Sequence, residues 1–431
     1  MLRTKETASN IFHDQKAYYI TNSGLKSLNR LGSHLELRDD HAVENNIQFI
    51  VRSYNPVPSP APAEFDPFHN QVCGAWVEVL PFLSATGRRK PFILSAINTL
   101  ATALRHHSVR PEPYQSPIHP MYFDSLKHMR KALGQAQGVF RIEHCIAIMC
   151  LAVTNILTPM LDSSWMTHAR GVGDLMKSLK PEIFSSGIFH SLFVGFRPLL
   201  LVSSILSRQE TFLAKEEWTT IPFRGQPVSM MQQLLNRASV LPSLLERYHN
   251  TRDFLDITNL VVIERIYQDF QDFLGSLQEW EIISKSNVPF PLVWSKPNTD
   301  HSSPSVSSVL WFPNIMTANS LMYYWAFKII AKTYLSTLNG AIATLNDQSS
   351  HTISETCTDK SVVDLAEMIC HSIPYLIQPG MEVHHAGSSF FPLPTAIEVF
   401  QRDSDRYKLQ LLHCEHIVNQ LASRGIHFIH K

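Results

Sequence analysis

Residues 188–206 read IFHSLFVGFRPLLLVSSIL, and this stretch decides the fold class. Its apolar side chains recur at steps of three and four residues, the spacing of a buried face of an α-helix. These positions are Leu192, Phe193, Phe196, Leu199, Leu200, Val202, Ile205 and Leu206. Pro198 lies inside the pattern. Because proline donates no backbone hydrogen bond, we expect a kink or a junction of two helices there.

The same helical spacing recurs on both sides of this stretch. It covers residues 85–105, 121–133, 257–280, 362–373, 396–400 and 407–424. Only 16 glycines occur in 431 residues, too few for the tight turns of a many-stranded fold. The sequence therefore predicts an all-α fold, with one large helical domain over residues 65–431. Residues 1–64 are expected to form a loosely ordered N-terminal segment, in which residues 48–51 could be a strand or a short helix.

Proline and serine mark the expected loops. Residues 56–62, PVPSPAP, are typical of a stiff, solvated linker, and a second proline cluster covers residues 111–120. Residues 289–313 contain a serine-rich run and are predicted to form a mobile loop. A further loop is expected at residues 340–361, which are rich in Ser, Thr and Asp.

Composition excludes several classes of protein. The 37 Lys and Arg residues balance 37 Asp and Glu residues, which argues against free-standing nucleic-acid binding. The apolar fraction of 44% excludes a wholly disordered chain. Six cysteines without a Cys-x-x-Cys pair, and no apolar signal core at the start, favour a reducing intracellular environment. The longest uncharged stretches, residues 145–161 and 301–327, contain Pro and Asn and are expected to be buried helices, not membrane spans.

Few patterns in the chain indicate chemistry. Gly171 and Gly173 supply two glycines of a dinucleotide fingerprint, but the third is missing, so we interpret them as contacts where side chains would not fit. His413 and His416 are one helical turn apart, but no further metal ligands can be named, so exposed helix histidines are favoured. There is no P-loop and no Gly-x-Ser-x-Gly nucleophile elbow. We therefore predict no catalytic, cofactor-binding, metal-binding or DNA-binding residues and no cofactor.

Three blocks of sequence, in order, carry a resemblance to a known family. The first is FDPF at residues 65–68, followed by CGAW at 73–76 and by Leu80 and Pro81. The central block comprises His168, Gly171, Leu175, Pro181, Phe184, Gly187, His190, Phe193, Arg197, Arg208, Thr211, Phe212, Leu213, Ala214 and Trp218. The third is ICHSIPY at 369–375, then FPL at 391–393 with Ala396 and Phe400. Together they resemble the fungal-specific transcription factor domain, the helical region that follows a binuclear zinc-cluster DNA-binding motif.

The resemblance implies a transcription regulator that lacks its own DNA reader. The family's zinc cluster uses six cysteines in two halves that each begin with Cys-x-x-Cys, whereas the first cysteine here is Cys73, already inside the regulatory region. The reader has been lost, or a DNA-binding partner supplies it, or the sequence is truncated. The resemblance implies action in the nucleus, with the cytoplasm also open, through other regulatory proteins or a DNA-binding partner, in control of a fungal metabolic pathway. No membrane partner and no direct sequence-specific DNA binding are expected, and an oligomer stays open.

A second class of function is an enzyme or small-molecule-binding protein that reuses the helical scaffold in fungal secondary metabolism, because a fold does not by itself decide function. A deep pocket with perturbed ionisable groups would favour this class. A broad exposed apolar patch would favour the regulator.

Structural and not catalytic roles are expected for the central block. The residues concerned are His168, Gly171, Gly187, His190, Phe193, Arg197, Arg208, Phe212 and Trp218. Gly187 can start a helix or allow a close approach. Arg197 and Arg208 are expected to pair with carboxylates or with helix-end carbonyls. Trp218 is expected to be a large buried anchor.

Overall fold

α-Helices dominate the described residues, which confirms the expected all-α fold. The computed structural model describes residues 34–54, 75–85, 90–107, 118–135, 141–158, 164–251, 259–298, 307–346, 360–378, 387–424 and 426. The linker at 56–62, the FDPF block, Cys73 and Gly74 lie outside these residues, as do residues 111–117 of the second proline cluster.

The first group of helices leads up to the stretch at 188–206. It comprises α1 (His34–Tyr54), α2 (Leu80–Ala85), α3 (Pro91–His107), α4 (Ile118–Gln135), α5 (Ile142–Leu157), α6 (Ser164–Lys177) and α7 (Gly187–Ser207). Helix α3 packs against α4 and α5, α5 against α6, and α6 against α7. Short 3-10 helices at Ala75–Val79 and Pro181–Ser185 also pack on α7.

The second group runs from α7 to the C-terminus. It comprises α8 (Glu216–Thr220), α9 (Met230–Ala238), α10 (Leu241–Thr251), α11 (Leu260–Ser286), α12 (Ile315–Asn346), α13 (Lys360–Leu376), α14 (Pro392–Gln401) and α15 (Lys408–Ser423). Further 3-10 turns lie at Phe212–Ala214, Ile221–Phe223 and Ser388–Phe390. Helix α12 packs against α9, α11, α13 and α14, and α15 packs against α13 and α14.

The chain divides into two compact units, Met1–Ala42 and Val43–Lys431, and the boundary falls inside α1. Residues 48–51 belong to this helix, which resolves the choice between strand and helix. Val43, Ile47, Ile50 and Tyr54 recur at helical spacing and are all buried. The large unit therefore begins earlier than the expected residue 65, because this apolar face needs a core to cover it.

Helix α12 forms the centre of the large unit. Every residue from 315 to 327 is buried, so other parts of the fold surround this segment on all sides and no face of it is exposed to solvent. The helix runs on through Gly340 to Asn346, and the next helix begins at Lys360, so residues 340–346 and 360–361 of the expected loop are helical, while residues 347–359 lie outside the described part of the chain. Ser, Thr and Asn on the exposed last turns gave that part of the helix the composition of a loop.

The loop expected at 289–313 contains a small antiparallel hairpin. Strands β1 (Trp294–Pro297) and β2 (Ser308–Trp311) pair with Trp294 opposite Trp311. The ammonium of Lys296 lies 4.2 Å from the centroid of the Trp311 ring, a cation–π contact on one face of the ribbon. Sequence reasoning missed these strands because each has only four residues.

Helix α7 is long and apolar enough to cross a membrane, and it is the only helix among the described residues that passes this test. However, 72% of its most apolar 18-residue window is buried inside the fold, and core helices of globular proteins pass the same test. Its length and composition are therefore weak evidence for a membrane span.

Candidate functional site

Arg197 lies in the middle of α7 and is almost completely buried, with 1% of its surface exposed. Its Nη1 donates to Oε1 of Gln232 at 3.0 Å and to the Gln232 backbone carbonyl at 3.3 Å, and its Nη2 donates to Oδ1 of Asn236. The guanidinium carbon lies 5.4 Å and 5.1 Å from the ring centroids of Phe193 and Phe223. Burial lowers the pKa of Arg197 to about 9. Amide and carbonyl oxygens therefore solvate this charge, so of the two expected kinds of partner, a carboxylate or a helix-end carbonyl, Arg197 contacts a backbone carbonyl.

Gln232 also supplies a hydrogen-bond donor to the backbone carbonyl that Pro198 leaves without one. Proline has no N–H, so the carbonyl of Val194, four residues earlier, loses its helical donor. Nε2 of Gln232 donates to that carbonyl at 3.1 Å. Helix α7 runs through Pro198 as one element, and the expected junction of two helices is absent from the described residues. One side chain thus satisfies both a buried cation and an orphaned carbonyl.

An aromatic cluster surrounds Trp218, which is 3% exposed. The Trp218 ring centroid lies 4.7 Å from that of Phe212, 5.5 Å from that of Phe184 and 5.8 Å from that of Phe193. His190 adds a polar contact at the edge of this cluster, where its Nδ1 lies 3.0 Å from the Phe184 carbonyl oxygen. The structure therefore brings together five residues of the central block, with Phe184, Phe193, Phe212 and His190 gathered at the buried ring of Trp218.

His168 lies apart from this cluster, on α6. Its Nε2 lies 2.7 Å from the hydroxyl of Tyr122 on α4. Burial lowers the pKa of His168 to about 4, so the ring is neutral at pH 7. The contact joins α4 to α6 and leaves the imidazole facing a protein partner instead of solvent.

The remaining block residues act on the backbone. Gly187 begins α7 with φ of 60°, a conformation that favours glycine. Arg208 caps the other end with φ of 52°, and its N–H donates to the Ile205 carbonyl. A Cβ at Gly171 would meet nothing within 4 Å, so the interpretation of this glycine as a close contact is wrong. At Gly173 a Cβ would lie 3.4 Å from a side-chain atom of Leu200, which is the lower limit of ordinary van der Waals contact.

A second group of polar residues lies between α13 and α15. The Sγ atoms of Cys370 and Cys414 are 3.6 Å apart and both residues are buried. The ring centroids of His371 and His413 are 5.9 Å apart. His413 is buried, so its interpretation as an exposed helix histidine is wrong. Among the described residues, no group of three or more His, Cys, Asp or Glu side chains is placed to hold a metal ion.

A cavity of about 240 Å³ adjoins this group. Cys370, His371 and His413 line it, together with Glu367, whose Oε1 accepts a hydrogen bond from Nε2 of Gln410 at 3.0 Å. The hydrogen bond with Cys414, burial and the charge of Glu367 raise the pKa of the Cys370 thiol. Burial lowers the pKa of His371. This cavity therefore brings two imidazole side chains, the Glu367 side chain and the Cys370 thiol around one space.

A second cavity is smaller and apolar. It has a volume of about 70 Å³, and its lining includes Trp76, Gly195, Pro198, Tyr323 and Phe390. A space of this size holds fewer atoms than the engineered cavity of about 150 Å³ that admits benzene. We treat it as a packing feature between α7 and its neighbours.

Tyr324 and Glu281 form a polar contact between α12 and α11. The Tyr324 hydroxyl donates to Glu281 Oε2 and accepts from Lys328 Nζ at 3.1 Å, while Lys285 lies 2.8 Å from Glu281. Burial and the adjacent Glu281 carboxylate raise the pKa of Tyr324. Every member has a protein partner, so the group joins two helices.

Sequence reasoning missed the residues that complete these sites. Gln232, Asn236 and Gly195 carry no motif, and only the three-dimensional packing identifies them. The dipeptides Cys370-His371 and His413-Cys414 were a usable signal, because they have inverse order on two predicted helices. Antiparallel packing of such helices places cysteine opposite cysteine and histidine opposite histidine.

Comparison with known proteins gave no assignment: no family model matches the chain, and neither a curated protein nor a solved structure matches it significantly.

Proposed function

We propose that the chain is a non-enzymatic transcription regulator that acts in the nucleus through contacts with other regulatory proteins or a DNA-binding partner. In this proposal it controls a fungal metabolic pathway. The resemblance of its three sequence blocks to the fungal-specific transcription factor domain supports the proposal.

One structural observation carries the argument. The central-block side chains best suited to chemistry point inward to protein partners. Arg197 is bonded to amide and carbonyl oxygens, His168 to the Tyr122 hydroxyl, and His190 to the Phe184 carbonyl. None of the three lines one of the cavities described above. Side chains that are bonded in this way stabilise the fold, so we look for the functional site on the outer surface.

The outer surface offers an apolar site for protein contacts. Val261 and Val262 on α11 are 77% and 47% exposed. They line a groove of about 510 Å³ together with Ile266, Arg247 and Arg265. Arg247 is held by Asp269 at 2.6 Å, so the groove has an ordered polar rim. Apolar residues with a polar rim are typical of surfaces that bind proteins.

A tethering experiment tests the proposal. The full chain is fused to a heterologous DNA-binding domain, and a reporter gene with the matching operator is measured in a fungal host. We expect activation or repression that falls when Val261 and Val262 are both changed to Ser. Leu133→Ser, at an exposed position on α4, is the matched control and should keep the reporter effect. A fusion that is nuclear and folded but leaves the reporter unchanged would argue against a regulator.

The polar cavity between α13 and α15 favours a second candidate, an enzyme or small-molecule-binding protein of fungal secondary metabolism. It gathers Glu367, Cys370, His371 and His413 around one space, and the pKa values of Cys370 and His371 are shifted. Native mass spectrometry of the chain from its source organism tests this candidate. A stoichiometric small molecule that is lost when Gln410→Trp fills the cavity would support it, and a ligand-free wild-type chain would count against it.

A further inference from the structure

We propose that Cys370 and Cys414 form an oxidative modification site, in which a small peroxide converts the two thiols into a disulfide that joins α13 to α15. This inference is independent of the proposed function.

The thiols are already in contact. Their Sγ atoms are 3.6 Å apart, and a disulfide bond of about 2.05 Å requires them to approach by only ~1.5 Å. The two residues lie on neighbouring helices that pack against each other, so the disulfide would join two elements that are already in contact. Both thiols are free in the described structure, and the chain between them would close into a loop.

The polar cavity gives an oxidant access to one of the two sulfurs. Cys370 lines the cavity, whereas Cys414 is not part of its lining. Ser307 and Leu409 also line it and are exposed, with Leu409 at 66%, so the cavity reaches solvent. Cys370 is therefore the sulfur that the oxidant meets first, and Cys414 lies behind it as the resolving thiol.

The size of the cavity selects the oxidant. A water molecule occupies about 30 Å³ in the liquid, so the volume of about 240 Å³ holds a handful of such molecules. Hydrogen peroxide is small enough to enter this cavity, whereas oxidised glutathione, a pair of linked tripeptides, is too large. A small peroxide is therefore the class of oxidant that can reach Cys370.

The chemistry balances in two steps. The Cys370 thiol loses its proton and its sulfur attacks one peroxide oxygen; the S–O bond forms, the O–O bond breaks, and the leaving hydroxide takes the proton to become water. Cys414 then loses its proton and attacks the sulfur of the sulfenic acid; the S–S bond forms, the S–O bond breaks, and a second water leaves. Two electrons pass from the thiols to one peroxide.

The position explains why this pair reacts and other buried cysteines do not. Cys145 and Cys150 lie five residues apart on α5, are fully buried, and line none of the described cavities. Burial raises the pKa of these thiols as it does that of Cys370, so access through the cavity, and not the pKa, distinguishes the two pairs. They serve as internal controls in the same protein.

Peptide mapping tests the proposal on the full chain. The reduced protein is treated with hydrogen peroxide, blocked with an alkylating reagent, and digested without reductant. We expect a cross-linked peptide pair containing Cys370 and Cys414, lighter by two hydrogens than the separate peptides, while Cys145 and Cys150 stay thiols. Recovery of both Cys370 and Cys414 as thiols, or of Cys370 as sulfinic acid without a cross-link, would overturn the proposal.

Two further measurements test the disulfide and the route of the oxidant. The disulfide should raise the melting temperature by several degrees in a way that reductant reverses, since it restricts the unfolded chain. Cys414→Ala should lose this rise and Cys145→Ser should keep it; a rise that persists in Cys414→Ala contradicts the proposal.

Peroxide should oxidise the pair about tenfold or more faster than oxidised glutathione at equal concentration, because the larger reagent is excluded. Equal rates would refute the role of the cavity.

Discussion

Replacement of Gln232 by Leu is the most direct test of how α7 is held in the core. Leu has nearly the volume of Gln, so the substitution removes polar bonds without opening a large cavity. It takes away the Oε1 acceptor of Arg197 and the Nε2 donor to the Val194 carbonyl. The change therefore leaves a buried cation short of one acceptor and a buried carbonyl without its donor.

The expected cost follows from these two losses. A hydrogen bond to a charged group contributes about 1.5–3 kcal/mol, and an unsatisfied buried carbonyl costs about 1–3 kcal/mol. Since the apolar Leu side chain recovers part of this by packing, we expect the free energy of unfolding to fall by about 2–5 kcal/mol. A loss of this size is a large share of the stability of a typical globular protein, about 5–15 kcal/mol.

The assay is urea unfolding at pH 7, followed by tryptophan fluorescence. Gln233→Leu is the matched control, because Gln233 is adjacent, is half-buried, and makes one bond, from Nε2 to the Val228 carbonyl at 2.8 Å. It should cost about 1 kcal/mol. The pair Arg197→Met and Gln232→Leu should together cost less than the sum of the single changes, by about 1–3 kcal/mol, because the two side chains interact. A cost of under about 1 kcal/mol for Gln232→Leu, or strict additivity, would refute the reasoning.

Three other predictions concern the same core. Gly195→Ala should destabilise the fold by about 1–3 kcal/mol in a thermal melt, because the new Cβ would lie 2.8 Å from the backbone nitrogen of Trp76. Gly275→Ala on α11 is the control and should stabilise the fold slightly, because a Cβ there meets open space. Trp218→Ala should cost about 3–5 kcal/mol in the same assay because its ring is buried, and a melting temperature equal to wild type would contradict the anchor role. The His168 pKa of about 4 is below the unfolded value of 6.5, so stability should be complete above pH 6.5 and fall toward pH 4 by up to about 3 kcal/mol. His168→Gln should flatten this part of the pH profile, and an unchanged profile would exclude His168 as its source.

Apolar periodicity was sufficient to predict the fold class, because it is a property of each helix alone. The pattern at 188–206 predicted α7, and its residues are indeed mostly buried. Periodicity failed where few apolar residues mark an element. The last turns of α12 are exposed and polar, and each strand of the hairpin has four residues. In α1 charged residues mask the apolar face that begins at Val43.

The partners of the central block could not be predicted in the same way. The sequence placed the charge of Arg197 in an apolar helix, from which either a carboxylate or a helix-end carbonyl was expected as its partner. The structure instead supplies Gln232 and Asn236 from α9, residues that have no distinguishing neighbours along the chain. Which polar residue meets a buried charge depends on the register of two helices, and composition does not contain that register.

The adjacent Arg197 and Pro198 suggest why this register is defined so strongly. Each is a defect in a core helix, since one buries a charge and the other removes a backbone donor. An amide side chain carries both an acceptor and a donor, and only a shift of α9 that places Gln232 opposite Val194 and Arg197 satisfies both defects together. A slip of one helical turn would leave a buried cation and a buried carbonyl unsatisfied, whereas an all-apolar contact would tolerate it. We therefore infer that the polar network selects one arrangement of α7 on α9 more than it adds stability, as buried polar groups do in some coiled coils.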